Sequence, residues 1–301
     1  MPDKKNLFVS RSSKRKTETV SADNELDARN GSRRRILEFT SAPSAVVADT
    51  LSALIEGYGA VSPSAIWTPH GKNAPAPARL DETPGLVKNP AHKAALHDWW
   101  VSDEPLFNRA LTQRQTAGRA SRAVRLPPFD FASTFTPPES APERNGVLIV
   151  HAAAHIGELN SDHSHQREKT ALPQIHKAFA EATEGWNALL KERAETLGYK
   201  LSHRVKLSTD SHYRLSCNFA VAWKLARLGV PTILLYLGFL DATELEPDGY
   251  LAFRDHEMWE KCVFEKTSKP LPEEIWDTSF TLPSAAPLAI LRRSLRMDLP
   301  E

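Results

Sequence analysis

Apolar positions divide the chain into stretches with a period of two, stretches with a period of three to four, and stretches with neither. The clearest is Val147–Glu158, VLIVHAAAHIGE, where four apolar residues, three of them β-branched, follow the turn dipeptide Asn145-Gly146. That pattern predicts a largely buried strand entered from a tight turn. Just upstream, after the break at Pro127-Pro128, residues 129 to 136 predict a second strand. In it Phe129, Phe131, Ser133 and Phe135 alternate with Asp130, Ala132 and Thr134. The two strands form the arms of a hairpin, with Asp130 a carboxylate on the face opposite the phenylalanines. The run TILLYLGF, residues 232 to 239, predicts a strand buried on both faces.

Helical spacing occupies much of the rest. Val46, Val47, Thr50, Leu51, Leu54 and Ile55 predict a helix that Ser41 or Ser44 can cap and Gly57 or Gly59 can end. Asn89-Pro90 opens another, with Leu96, Trp99 and Trp100 as packing residues. The Pro-rich stretch from Ser62 to Pro90 reads as a surface loop with a short strand near Ile66-Trp67. A long amphipathic helix is expected from Leu172 to about Leu197. A second is expected from about Ser211 to Leu228, led by Thr209-Asp210-Ser211 and closed by Gly229 before Pro231. Two more are expected at Asp255–Phe264 and Pro287–Met297. Strand pair, helices and strand make an α/β layer protein without internal repeat.

Composition narrows the class only slightly. With 301 residues, 41% hydrophobic and 25% charged, the chain has the balance of an ordinary globular protein. A formal net charge of +1 carries no global argument for a polyanionic partner, so any such argument is local. Two distant cysteines, Cys217 and Cys262, and the absence of an apolar leader or an eighteen-residue apolar run suggest a reduced, cytoplasmic protein without membrane contact. Residues 1–35 read as a disordered basic tail or helix lead-in carrying Lys4, Lys5, Arg11, Lys14, Arg15 and Lys16, then Arg33, Arg34 and Arg35, ahead of a single α/β domain over 36–301. These cations suit phosphate contact, as do Arg114, Arg119, Arg122 and Arg125, although a merely solvated tail has the same composition.

The phrases HDWW (97 to 100), FDFAST (129 to 134), LIVHAAAHIGEL (148 to 159), LSTDSHYRLSCNFAVAWKLARLGVPTILLYLGFLDA (207 to 242) and HEMWEKCV (256 to 263) together resemble, in order, a bacterial group of the PD-(D/E)xK superfamily. The resemblance implies a restriction-endonuclease-like mixed sheet flanked by helices, with the active site on the hairpin and the following helix. It also implies an aspartate on the first hairpin strand and Glu-x-Lys at the end of the second, which hold Mg²⁺ or Mn²⁺ against a scissile phosphate and activate water.

Laid onto this chain, Asp130 takes the aspartate position, while His155 and Glu158 match the histidine and glutamate after the core motif. His151 stands at the glutamate position and Ala153 at the lysine position, so the central pair is replaced. On the helix, Arg214, Cys217 and Asn218 stand where glutamine, asparagine and arginine are expected. An alanine can neither donate nor carry charge, and such groups are each worth about 10²–10⁴-fold in rate. The expectation is therefore a nuclease-like protein, impaired or silent in catalysis, that acts on or binds nucleic acid, DNA favoured, with Arg33, Arg34, Arg35 and Arg214 as contacts. A homodimer is compatible with it.

Two alternatives stand beside that reading. One is an active metal-dependent phosphodiesterase in which Asp130, His151 and His155, with Glu158, form a mixed N/O set suited to Mn²⁺ or Zn²⁺; Arg167 or Lys169 would have to swing in for the lost lysine, and His163 and His165 offer further ligands. The other is a protein-interaction scaffold without cofactor, its histidines merely hydrogen-bonded at a strand end.

Overall fold

The computed structural model describes residues 31–71, 78–100, 126–138, 145–160, 173–209, 212–284 and 286–299. In chain order these form helices α1 (Gly31–Ser41) and α2 (Ser44–Leu54), strand β1 (Trp67–Thr68), helix α3 (Pro90–Trp100), the hairpin strands β2 (Phe131–Phe135) and β3 (Gly146–Ala153), helices α4 (Pro173–Leu197) and α5 (Tyr213–Arg227), strand β4 (Thr232–Leu240), helix α6 (His256–Thr267), and strands β5 (Thr278–Thr281) and β6 (Pro287–Arg296). The predicted tail to residue 30, the arginines at 114 to 125, and His163, His165, Arg167 and Lys169 lie outside the described residues.

One six-stranded mixed sheet, in the order β1-β2-β3-β4-β6-β5, organises these elements. β2 and β3 are antiparallel, with Phe131 opposite Val150, whereas β3, β4 and β6 run parallel. Parallel strands are covered on both faces, so their residues are apolar on both sides. Val147, Ile149, Leu234, Leu288 and Ile290 enter the larger core with α4 and α5; Leu148, Val150, Leu235, Leu237 and Leu291 enter the smaller one with Ile36 and Phe39 of α1 and Val47 and Leu51 of α2. α4 and α5 approach closely because Gly185 has no side chain: a Cβ there would lie 2.2 Å from the Trp223 ring.

Three expectations need correction. Pro287–Met297 is not a helix. Its leucine spacing resembles a helical stripe, but Leu288 to Leu291 are all buried and the segment fills the place between β4 and β5. Phe129 does not share a face with Phe131, because the backbone bends at Asp130; Phe129 joins the larger core and Phe131 the smaller. Thirdly, the basic tail cannot extend to Arg35. Residues 31–35 open α1, and docking of Ile36 and Phe39 on the sheet turns Arg35 inward, where its side chain is 1% exposed and forks onto Glu244 at 2.5 and 2.8 Å.

The side chains expected to cap α2 do not do so: Pro43 precedes it without a side-chain cap. His212 holds the corresponding place before α5, again without a side-chain cap, and Asp210 and Ser211 lie outside the described residues.

Candidate functional site

The strongest gathering of polar groups lies where β3 leaves the sheet. Continuing the β2–β3 register by one pair brings Asp130 opposite His151, and the carboxylate turns back onto β3. Asp130 Oδ2 accepts the Ala152 amide at 2.9 Å and lies 3.1 Å from His151 Nδ1. Its other oxygen, Oδ1, accepts Nη2 of Arg214 from the first turn of α5.

The position of Arg214 follows from topology. Only residues 228–231 separate α5 from β4, so α5 runs back along the sheet and its N-terminus reaches the C-terminal ends of the parallel strands. That end is where α/β proteins gather their polar chemistry. A cation in a first helical turn opposes the helix dipole, and Asp130 offsets that opposition. Burial by itself would raise the Asp130 carboxyl, but the Arg214 guanidinium, His151 and the Ala152 amide hold it well below the usual carboxylate range.

His151 projects into the larger core, edge-on to Tyr236 with ring centroids 4.8 Å apart. Only 6% of the residue is exposed, and burial together with the Arg214 charge lowers its pKa, which leaves a neutral imidazole near pH 7. Its Nδ1 is close to Asp130 yet makes no aligned hydrogen bond.

Glu158 has a different role from the one predicted. Oε1 accepts the backbone N–H and the hydroxyl of Ser32 at 2.9 and 3.1 Å, and Oε2 accepts the Ala154 amide at 2.5 Å. The carboxylate thus clasps the start of α1 to the end of β3, where the helix dipole favours an anion. Burial raises its pKa against the pull of the Ala154 and Ser32 donors. The backbone at Gly31 turns at φ 72°, and a Cβ there would lie 2.4 Å from Glu158 Oε1, so glycine is required on two grounds.

His155 is not part of the Asp130 cluster. β3 ends at Ala153, the strand period is lost, and His155 packs against Tyr250 with centroids 4.3 Å apart, its Nε2 3.9 Å from Glu158. Ala153 is fully buried in the larger core. The expected metal set of Asp130, His151 and His155 is therefore not assembled. Among the described residues no group of three or more His, Cys, Asp or Glu is placed to hold an ion. The residues present do not fit a divalent cation, because a guanidinium already occupies the Asp130 carboxylate that would ligate it.

Between the N-terminal turn of α5 and the last turn of α6 lies a small cleft lined by His151, Glu158, His212, Arg214, Tyr236 and Lys266, among others. Its volume of about 30 Å³ accommodates a water or two as it stands. Lys266, half-buried at its wall, forms no ion pair or hydrogen bond with the described residues. Sequence reasoning did not single out Lys266, since a lysine in a last helical turn is ordinary, nor His212. Arg214 was foreseen as a nucleic-acid contact, not as the partner of Asp130; its unfavourable place in a first helical turn was the available signal.

These features define a mixed α/β protein with a compact Asp–Arg–His cluster at the C-terminal end of its central strands. Comparison of the chain with family models, with curated proteins and with solved structures finds no match. Among the described residues no helix is long and apolar enough to cross a membrane.

Proposed function

We propose that this is a catalytically silent member of the restriction-endonuclease-like fold that binds nucleic acid, DNA favoured, without cutting it. The observation that carries the reading is the Arg214–Asp130 ion pair. At the hairpin position where the resembled family holds its metal, the carboxylate is bound to a fixed cation, and among the described residues no second acid joins it in a metal-holding group. His151 in place of glutamate and the buried Ala153 in place of lysine agree with lost cleavage. The antiparallel hairpin followed by a parallel strand supports the fold assignment. The binding half of the proposal rests on the basic residues at 4 to 16 and 114 to 125, together with Arg33 and Arg34 at the start of α1. Arg35 is withdrawn as a contact, because its guanidinium is internal.

The test has two arms. Incubation of the full chain with supercoiled plasmid and Mg²⁺, Mn²⁺ or Zn²⁺ is expected to give no nicked product, and metal-dependent nicking abolished by Asp130→Ala overturns the silent reading. Binding to duplex DNA is expected to weaken steeply with salt, because each phosphate neutralised releases a counterion. Deletion of residues 1–25, which leaves α1 whole, is expected to reduce that salt slope; no DNA affinity even at low salt overturns the binding half.

A further inference from the structure

Beyond β4 a short 3₁₀ helix, Thr243–Asp248, leads into a loop whose apolar side chains belong to neither core. Tyr250 is 48% exposed and Leu251 52%, two consecutive large side chains left in water. The loop that carries them is nonetheless pinned. Gly249 turns at φ 82°, the Tyr250 amide donates to the Leu245 carbonyl at 3.2 Å, the Leu251 carbonyl accepts the Ile156 amide at 3.2 Å, and Ala252 bridges to His155. A backbone already held in place has little entropy left to lose when a ligand settles on its side chains.

The tyrosine ring also has a backing. It rests on the His155 imidazole, with centroids 4.3 Å apart and planes tilted by 42°. His155 is fixed in turn: its Nδ1 accepts the Gly157 amide at 3.1 Å, and a Cβ at residue 157 would lie 2.8 Å from the imidazole, so glycine lets the backbone close over it. An aromatic side chain supported beneath and half in solvent has the form on which unpaired bases stack, because every base has a π-face to offer. A base inside a closed duplex has both faces covered by its neighbours and cannot use such a ring.

Charge at the same place favours a nucleic-acid strand as the occupant. Gly31 abuts Glu158, whose Oε1 lies 3.9 Å from Nε2 of the His155 that supports Tyr250, so the basic residues at 4 to 16 join the body of the protein beside this ring. Arg33 and Arg34 follow at the start of α1, and Arg34 is within electrostatic reach of Glu244, in the 3₁₀ helix whose Leu245 carbonyl holds the Tyr250 amide. Two of the three acids in that helix are already answered, Glu244 by Arg35 and Glu246 by Arg254, which limits their repulsion of a phosphate.

We infer that Tyr250, backed by His155 and extended by Leu251, is a stacking platform for an unpaired base of a nucleic-acid strand, whose flanking phosphates meet Arg33, Arg34 and the basic residues ahead of α1. The inference rests on the nucleic-acid reading above and adds to it the form of the substrate, a strand with unpaired bases.

The experiment is fluorescence anisotropy on the full chain at one fixed salt concentration, with a labelled oligonucleotide used as a single strand and annealed to its complement. Tyr250→Ala and Tyr250→Leu are expected to weaken binding of the single strand about tenfold, the scale of one lost base stack, and to leave duplex binding unchanged. Tyr250→Leu keeps an apolar cover over His155 without a ring, so it decides the matter if thermal unfolding shows the alanine variant to be unstable. Tyr250→Phe and Tyr250→Trp are expected to retain the parent affinity. Phe264→Ala, at the other exposed aromatic among the described residues, is expected to change neither form. Single-strand affinity that Tyr250→Leu leaves intact overturns the platform and leaves the nucleic-acid reading standing. So does an equal loss on strand and duplex, a loss shared by Tyr250→Phe, or one reproduced by Phe264→Ala. Binding of neither form at low salt overturns the nucleic-acid reading and the platform together.

Discussion

Two aspartate clusters face each other as a natural comparison, one at the end of β3 and one beside β6. At β6, Asp277 accepts the Arg292 amide and Nε, both at 3.0 Å, and Arg293 Nη1 at 2.6 Å, while Glu273 takes Arg292 Nη1 at 2.7 Å. Trp276 then covers the Arg292 guanidinium at 5.5 Å. Asp277 is shared between two arginines, and a second acid and an aromatic face take what remains of Arg292. At β3, Asp130 is likewise clasped by an arginine and a backbone amide, while His151 Nδ1 lies 3.1 Å from its carboxylate without an aligned hydrogen bond. Both clusters fasten one element to another. Each also keeps buried polar atoms without an aligned partner among the described residues, His151 Nδ1 at β3 and Glu273 Oε2 and Trp276 Nε1 at β6; the difference is that His151 and Arg214 line a cleft and that a histidine takes part.

Removing each aspartate tests the contrast most strongly. Asp130→Ala strands Arg214 and the Ala152 amide in a largely buried setting, and breaking such a pair costs about 3 kcal/mol. Chemical denaturation is expected to show that loss, and a change below about 1 kcal/mol sinks the view that Asp130 anchors α5 to the hairpin. Asp277→Ala is expected to cost less, about 1–2 kcal/mol, because Glu273 still holds Arg292. A loss equal to that of Asp130→Ala removes the distinction between the clusters.

pH sharpens the comparison, since only the β3 cluster contains a buried histidine. The ordinary His value is 6.5, and in the folded protein the His151 pKa lies below it. The unfolded chain therefore takes up a proton that the native state refuses, so this contribution is fully present above pH 6.5 and is lost as pH falls toward the native value. Unfolding temperature is expected to drop between pH 7 and 5, and His151→Phe is expected to flatten that slope; an unchanged slope places the titration elsewhere. The smallest effect is expected at the exposed Arg254–Glu246 pair, where Glu246→Ala should change stability by less than about 0.5 kcal/mol. A larger loss there means that exposed pairs in this protein exceed the usual scale and that the Asp277 value needs the same correction.

Much of the frame was legible because period and composition agree with position. A β-branched run became β3 and a continuous apolar run β4, and the three-and-four spacing of Ile175, Phe179, Ala182 and Trp186 became the inward face of α4. The nearness of Asp130 and His151 was legible too, as a consequence of hairpin register. β6 was not, because PLAILRRSLR has leucines spaced as on a helix and only its place between two strands selects the extended form. Local spacing carries no information about that competition. Nor could the sequence reveal that Arg35 turns inward to Glu244 or that Lys266 of α6 meets the hairpin, for both depend on elements more than a hundred residues apart.

The clasp of Glu158 on the first turn of α1 also determines where any leader peptide joins the body of the protein. The backbone enters at Gly31, against the same glutamate that forms one wall of the cleft. A chain cut to begin at that glycine would set a free α-ammonium beside the carboxylate, adding a positive charge at the doorway. Shortened versions meant to isolate the body should keep several residues ahead of Gly31, or they will report the chemistry of the cut.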